Sequence, residues 1–462
     1  MQRPSMSRRG ARTLGALLGL AAVCGVAAAH GGSLRDASGQ ELAVPTWLFL
    51  STGGAVVGAS FLMASFVTDR EFVAAIHEWQ RLVPAPRRVL AWTGRLVGVA
   101  GFAVVLVTGF AGPSDPLRNA AIVVVWVGWW AAFAMTTYLV GNSWPALNPF
   151  RTLTRPLAWA SGGSDTTLTP DRAAWASTAF LLALVWFEVV SPLADAPRLL
   201  ASAAVGYLAL AAVGVLAVGH DQWFDDVDPL SRLFRSYGSV APVQRTADGL
   251  SLRLPAMRLT DDVVTTDGGV AFVIALLWGT TYDGLVGTPG WASVARAMVS
   301  SGVPAVVLYP AALLVGFLAF HRLYWWAART ARETAPTFTD ADHIARRFAP
   351  SLLAIAAGYH LAHYLVYALS LSPSLVGALS SPLNPPAART LVLPGWLSGV
   401  GVAAVLLGHL LAIWVAHATA YDELPGRLQA IRSQYALTLA MVFYTMTSLW
   451  IVGQPAVEPP YL

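Results

Sequence analysis

The chain is poor in charge and in reactive side chains. Of its 462 residues only 12% are charged and 56% are hydrophobic, whereas soluble domains carry about 25% charged residues. The single cysteine excludes a disulfide framework, a cysteine-based zinc site and an iron–sulfur centre. All 29 basic residues are arginine, and the absence of lysine excludes a P-loop and Schiff-base chemistry. This composition excludes a soluble enzyme and indicates a membrane protein.

Residues 1–29 have the pattern of a signal peptide. A basic stretch precedes an apolar run over 14–28, and small residues at 27–29 fit a cleavage site. Cleavage there would leave His30 as the mature N-terminus outside the cytoplasm. The alternative is an uncleaved first helix.

Apolar runs long enough to cross a bilayer fill most of the remaining chain. A span needs about 20 apolar residues, and the sequence predicts an all-α polytopic integral membrane helix bundle, a single domain over 30–462. The shortest run, 268–285, has a re-entrant loop as its alternative. The predicted spans are 46–67, 90–112, 119–140, 173–193, 198–219, 268–285, 302–325, 348–372, 396–418 and 431–453.

The arginines predict the orientation of these spans. With the mature N-terminus outside, 20 arginines fall in cytoplasmic segments and only 5 in external ones, as the positive-inside rule requires. We therefore expect a multi-pass protein of the plasma membrane with both mature termini outside. The bilayer, and not a nucleic acid, is the partner that the basic residues indicate. The five external arginines are Arg35, Arg118, Arg198, Arg296 and Arg389.

Two inner segments show helical amphipathicity. Asn148-Pro149 opens one that runs to Trp159, and Asp228-Pro229 opens another over 230–237. Both are predicted to lie as interfacial helices on the inner leaflet. A polar insertion follows at 241–267, where alternating leucines after Asp248-Gly249 predict a small cytoplasmic hairpin.

Ionisable residues within membrane spans are costly, and their default interpretation is functional. At about 1.5 Å per residue, Glu188 and Asp283 each lie roughly 22 Å above the inner end of their spans. His363 lies at roughly 24 Å, and His360 is one turn lower on the same helix face. We therefore expect Glu188, Asp283 and His363 to form a water-accessible site in the outer half of the bilayer, with separate structural pairs as the alternative.

Such a site suits a divalent metal. Glu188, Asp283 and His363 are competent ligands for zinc, manganese or iron, and His360 could act as a base beside them. A metal-bound water would then make the protein a metal-dependent hydrolase of a small-molecule substrate. His30, as a free N-terminal residue, could chelate copper through its amine and its ring.

Two other functions use the same residues differently. Glu188 and Asp283 could bind protons in a proton-coupled transporter of a small solute. His360 and His409 could instead be the axial ligands of a b-type haem in an electron-transfer subunit, since Gly358 and Gly408 beside them would leave room for a flat macrocycle. The sequence leaves open a homo-oligomer or a partner subunit.

Several short motifs together resemble a family of polytopic membrane proteins of actinobacteria and haloarchaea often labelled fenitrothion hydrolase. The resemblance implies phosphotriester hydrolysis and assigns no catalytic residue. The motifs are the His30 start, Asn148-Pro149-Phe150-Arg151, Trp186-Phe187-Glu188, Thr280-Thr281-Tyr282-Asp283-Gly284, His363-Tyr364, Gly408-His409, Ala416-His417 and Arg432-Ser433-Gln434-Tyr435.

Overall fold

The protein folds as an all-α bundle of long apolar helices. The structure is a computed structural model that describes residues 46–67, 69–84, 87–160, 166–246 and 249–461. The predicted signal peptide and His30 lie outside the described residues. The long helices are α1 (Thr46–Val67), α2 (Arg87–Ala111), α3 (Ala120–Leu139), α4 (Pro170–Val190), α5 (Pro197–Val218), α6 (Asp267–Val286), α7 (Ala305–Thr334), α8 (Ser351–Ser370), α9 (Leu397–Glu423) and α10 (Tyr435–Val452).

These helices correspond one to one with the ten predicted spans. In the described part of the chain, nine spans are long and apolar enough to cross a membrane, and they are the spans of α2 to α10. Two of these spans, those of α8 and α10, include the short helix that precedes the long one. The tenth, α1, joins Arg70–Glu78 in a pair bent by 108°. The region 268–285 forms the continuous, almost wholly buried helix α6. We call the end of the bundle where α2, α4, α6 and α8 finish the outer end, after the orientation that the arginines predict.

Short helices connect the spans. Their first turns are often capped by the side chain just before them, as Asn148 and Asp228 cap the helices that follow them. They are Arg70–Glu78, Trp144–Leu147, Pro149–Leu153, Arg155–Ala160, His220–Gln222, Pro229–Gly238, the 3₁₀ turn Met257–Thr260, Pro289–Ser300, Ala341–Phe348, Ser372–Ser380 and Arg427–Ser433.

Part of α3 is a π-helix. Its residues Val124–Phe133 form a ten-residue π-helical segment between two α-helical ends, and a shorter one spans Trp223–Val227. π-Helical turns are rare and occur mostly near functional sites. The segment in α3 carries Trp129 and Trp130, and it faces α8.

A three-stranded antiparallel sheet lies at the inner end. Its strands are Gln80–Val83, Val243–Thr246 and Gly249–Arg253, in the order first, third, second. The last two strands are the hairpin predicted in the polar insertion at 241–267, since Thr246 pairs with Gly249. The first strand, which pairs along the hairpin through Gln80 and Arg253, was not predicted.

The two inner amphipathic segments differ from each other. In the first, Trp159 is 80% exposed, as an interfacial helix requires, although Phe150 is buried. In the second, Phe234 and Tyr237 are fully buried in the main core. The prediction that 230–237 lies on the leaflet is wrong, because its apolar face packs against protein beneath α3 and α8.

An ion-pair network ties the inner ends of three segments together. Arg347 is within 2.8 Å of Asp262 and 3.1 Å of Asp422, and its Nε donates to Glu423. His343 lies 2.7 Å from the second oxygen of Glu423. Arg347 thereby holds the helix before α8 against the end of α9 and the loop before α6.

Replacing Arg347 by glutamine should therefore destabilise the bundle. Two of its carboxylate partners are largely exposed, so we expect a loss of about 1–2 kcal/mol in the free energy of unfolding. Arg346→Gln is the matched control, because Arg346 makes a half-exposed pair with Asp267 at 3.2 Å and should cost about 0.5 kcal/mol or less. Thermal unfolding in detergent measures both; equal midpoints for the two variants would contradict the role of Arg347.

Candidate functional site

Asp283 lies near the outer end of α6, three residues before the helix ends. It is 8% exposed, and its Oδ2 accepts a hydrogen bond of 2.9 Å from the Tyr364 hydroxyl. The same oxygen lies 3.7 Å from Nε2 of His363. A buried carboxylate is costly unless it is paired, and α8 supplies both partners from adjacent residues. Asp283 and His363, which were predicted to lie at the same depth, are therefore also close neighbours.

His363 is the more accessible member of this pair. Its side chain is 21% exposed, against 12% for the Asp283 side chain. The imidazole stacks on Tyr359, one turn earlier on α8, with 5.9 Å between ring centroids and 13° between planes. The Asp283–His363 pair is thus largely buried, and His363 is the more exposed of its two side chains.

Glu188 lies on the neighbouring helix α4, two residues before its outer end, and is partly buried. Both Glu188 and Asp283 act electrostatically on the Tyr282 hydroxyl, so both carboxylates lie in the neighbourhood of this tyrosine. Among the described residues, however, no three His, Cys, Asp or Glu side chains are grouped closely enough to hold a metal ion. The structure brings Asp283 and His363 together and leaves Glu188 in a neighbouring position.

His360 faces a different helix from His363. It is fully buried, and its Nδ1 lies 3.0 Å from the hydroxyl of Tyr138 on α3. The rings of Trp130 and Tyr237 each approach it edge-on, with centroids 5.6 Å away. His360 therefore sits in an aromatic enclosure beneath the Asp283–His363 pair.

Tyr364 joins the two levels. Its hydroxyl donates to Asp283, while its ring lies 4.6 Å from that of His360 and 4.8 Å from that of His363, centroid to centroid. His363, Asp283 and Tyr364 thus form one group and His360 and Tyr138 another, and the contact between the rings of Tyr364 and His360 joins the two groups. We call these five residues the polar chain.

His409 does not join the polar chain. It is fully buried, and its Nδ1 lies 2.8 Å from the carbonyl oxygen of Val405 in its own helix. Gly358 and Gly408 allow α8 and α9 to meet backbone to backbone, since a Cβ on Gly358 would lie 2.5 Å from the Ala404 oxygen and 3.0 Å from the Gly408 Cα. The expectation that these glycines leave room for a macrocycle is not supported, because the two helices fill that space themselves. A haem between His360 and His409 does not fit this packing.

Sequence reasoning missed three members of this region. Tyr138, Trp130 and Tyr237 surround His360, and none of them stood out among the many aromatic residues of the apolar runs. The signal available was the position of Tyr138 after two threonines at the inner end of its span.

The described helices and the polar chain define the class of protein: a multi-pass, all-α membrane protein with ionisable groups inside its helix bundle. No family model, no curated protein and no solved structure matches the chain.

Proposed function

We propose that the protein is a proton-coupled transporter of a small solute and that the Asp283–His363 pair is its proton-binding site. The observation that carries the proposal is the 3.7 Å separation between Asp283 Oδ2 and His363 Nε2 at a partly accessible position near the outer end. Chains of acidic and histidine side chains in the membrane are typical of proton relays in pumps and transporters.

The chemistry of the pair suits coupling. Imidazole is the side chain whose ordinary pKa lies nearest to neutral pH, and a carboxylate within reach can share its proton. Taking up one proton changes the net charge of the pair from −1 to zero, which lowers the cost of enclosing it in the bilayer. An occluded state would thus become accessible mainly when the proton is bound.

Tyr364, His360 and Tyr138 extend the site inward. Their hydroxyl and imidazole groups can donate and accept hydrogen bonds, so a proton at Asp283 has polar neighbours deeper in the bundle. The aromatic enclosure of His360 excludes bulk water from this inner part. We propose that the Asp283–His363 pair binds the proton. The resulting change in charge would then act on Tyr364, His360 and Tyr138, and through them on α3.

Proteoliposomes that contain a pH-sensitive dye test the proposal. The full-length protein is reconstituted, and a panel of small acids, amines, sugars and neutral metabolites is added outside at a fixed pH gradient. We expect at least one solute to drive proton uptake above that of empty liposomes, with a rate that depends on the pH gradient. Solute uptake that is insensitive to the pH gradient would contradict proton coupling.

A metal-dependent hydrolase, which the resemblance implies, is the second candidate. The observation in its favour is again the Asp283–His363 distance, because two ligands at about 2.1 Å from one ion can be up to about 4.2 Å apart. Glu188 would have to approach from α4 to complete a zinc, manganese or iron site.

Elemental mass spectrometry on gently purified protein decides between the two candidates. Stoichiometric zinc, manganese or iron that is lost in Asp283→Ala, with the protein still inserted, would favour the hydrolase over the transporter. Copper that depends on His30 would point instead to the predicted N-terminal chelate. If the metal content were unchanged in Asp283→Ala, Asp283 would not be a metal ligand and the proposed hydrolase site would be wrong.

A further inference from the structure

A separate cavity of about 480 Å³ opens at the outer end. The helix Ser372–Ser380, the connection between α2 and α3, and the segment 385–389 form its walls. Two arginines, Arg118 and Arg389, line it, together with two serines and otherwise apolar residues, and no carboxylate is among its lining residues. It is formed by different segments from those that carry the polar chain.

The walls of this cavity are held by specific hydrogen bonds. The Ser374 hydroxyl donates to the Arg389 carbonyl oxygen at 2.8 Å and accepts from the Arg389 N–H at 3.1 Å. The Leu391 N–H donates to the carbonyl of Ser370 at 2.8 Å. On the opposite wall, Nη2 of Arg118 donates to the Pro385 carbonyl at 3.0 Å. The segment that carries Arg389 is therefore fixed to the helix beside it.

The two arginines bring positive charge to the cavity. Among the described residues, no ion pair involves Arg118 or Arg389, and Nε of Arg118 is buried without a hydrogen-bond partner. The nearest acid in sequence, Asp115, uses a carboxylate oxygen to accept the Leu117 N–H at 3.1 Å. Nε of Arg118 has almost no accessible surface, so an anion in the cavity would meet the rest of the two guanidinium groups, which have no carboxylate among the lining residues.

The location of these arginines adds a second, independent argument. Only 5 of the 29 arginines are in predicted external segments, where the positive-inside rule disfavours them. Arg118 and Arg389 are 271 positions apart in the chain, yet both line this one cavity. The fold brings them together, because the helix Ser372–Ser380 packs against the beginning of α3, and two positive charges at one cavity favour an anion there.

We propose that this cavity binds an oxyanion, a phosphate or carboxylate group, between Arg118 and Arg389. The planar guanidinium offers paired N–H donors that match both kinds of group. The anion belongs either to a free solute or to a phospholipid headgroup, and both present the same oxygen chemistry to the site. The proposal does not depend on proton coupling.

The test compares single arginine variants of the full-length protein in detergent by titration calorimetry with inorganic phosphate and with acetate. Arg389→Gln is the principal variant, because the recorded hydrogen bonds of Arg389 come from its backbone and should persist. Arg296→Gln, which removes an exposed external arginine outside the cavity, is the matched control. Loss of a charge-assisted hydrogen bond should raise the Kd about 10–100-fold in Arg389→Gln and leave it unchanged in the control.

A second arm distinguishes a lipid from a free anion. The same proteins are placed in nanodiscs containing phosphatidylglycerol, and retained lipid is counted by native mass spectrometry. Phosphate or acetate binding that depends on Arg389 supports a soluble anion. Lipid retention that depends on Arg389, without binding of the free anions, supports a headgroup. The proposal is overturned if Arg389→Gln and Arg296→Gln behave alike in both arms, whatever the outcome of the proton-uptake assay.

Discussion

Replacing Asp283 by asparagine is expected to reduce solute-driven proton uptake in proteoliposomes to the level of empty liposomes. The amide has nearly the same shape as the carboxylate, and its oxygen can still accept the hydrogen bond that Tyr364 donates. It cannot bind a proton in the physiological pH range, so the pair with His363 loses its negative charge permanently. Because a buried charge is removed while the packing is kept, the variant should insert and remain as thermally stable as the wild type.

The control for this variant is Glu458→Gln. Glu458 is an exposed carboxylate in the segment that follows α10 at the same outer end, and its loss should leave proton uptake within about twofold of the wild type because surface charges at such positions are screened. His363→Gln should reduce uptake strongly while keeping the protein folded. If Asp283→Asn retained full uptake for a solute that the wild type transports with protons, the proton site would lie elsewhere.

The fold was predictable because the bilayer imposes a simple constraint on length. A segment must supply about 20 apolar residues to cross, and the ten predicted runs all recur as helices, α1 as one member of the bent pair. The same regular rise along a helix placed Asp283 and His363 at one level, and they lie 3.7 Å apart. Counting residues from the inner end was sufficient for this pair because α6 is continuous over the counted distance, and α8 forms one span with the short helix before it, Ala341–Ser370.

The position of the segment 230–237 and the partner of His360 depend on tertiary packing, which the periodicity of the sequence does not show. An amphipathic segment such as 230–237 shows that one face is apolar, but its pattern is the same whether that face meets lipid or protein. Tyr237 meets His360 and is fully buried, so the segment belongs to the core. Likewise, the partner of His360 comes from α3, 222 positions away in the chain, and no local pattern selects Tyr138 among so many aromatic residues.

Glu188 shows that residues at the same depth in the membrane are not necessarily neighbours. Depth gives a coordinate along the membrane normal and none around the bundle, so residues at equal height need not converge. Asp283 and His363 do so because α6 and α8 pack against each other, whereas Glu188 lies on α4 and acts electrostatically on Tyr282. Equal depth therefore selected Asp283 and His363, which are close together, but it carries no information on whether a residue of a third helix lies beside them.

Gly358→Val is expected to destabilise the protein by about 3 kcal/mol, the upper part of the range for overpacking a close-packed interior. Added carbons at position 358 would overlap the Ala404 carbonyl oxygen and the Gly408 Cα, where α8 and α9 are in backbone contact. Gly101→Val in α2 is the matched control, since a Cβ there meets no atom within 4 Å and the change in helix propensity is the same. Thermal unfolding in detergent should show a markedly lower midpoint for Gly358→Val alone.

This pair of variants also separates the two interpretations of the glycines. If Gly358 and Gly408 exist to bring two helices together, valine at 358 forces α8 and α9 apart, and amide hydrogen exchange should accelerate in both helices. If the two glycines instead bordered a bound haem, Gly358→Val would abolish the haem absorbance at about 400 nm. The helices themselves would then be little affected. Equal midpoints for Gly358→Val and Gly101→Val would contradict close packing and restore the haem interpretation. The backbone distances between α8 and α9 favour the first result.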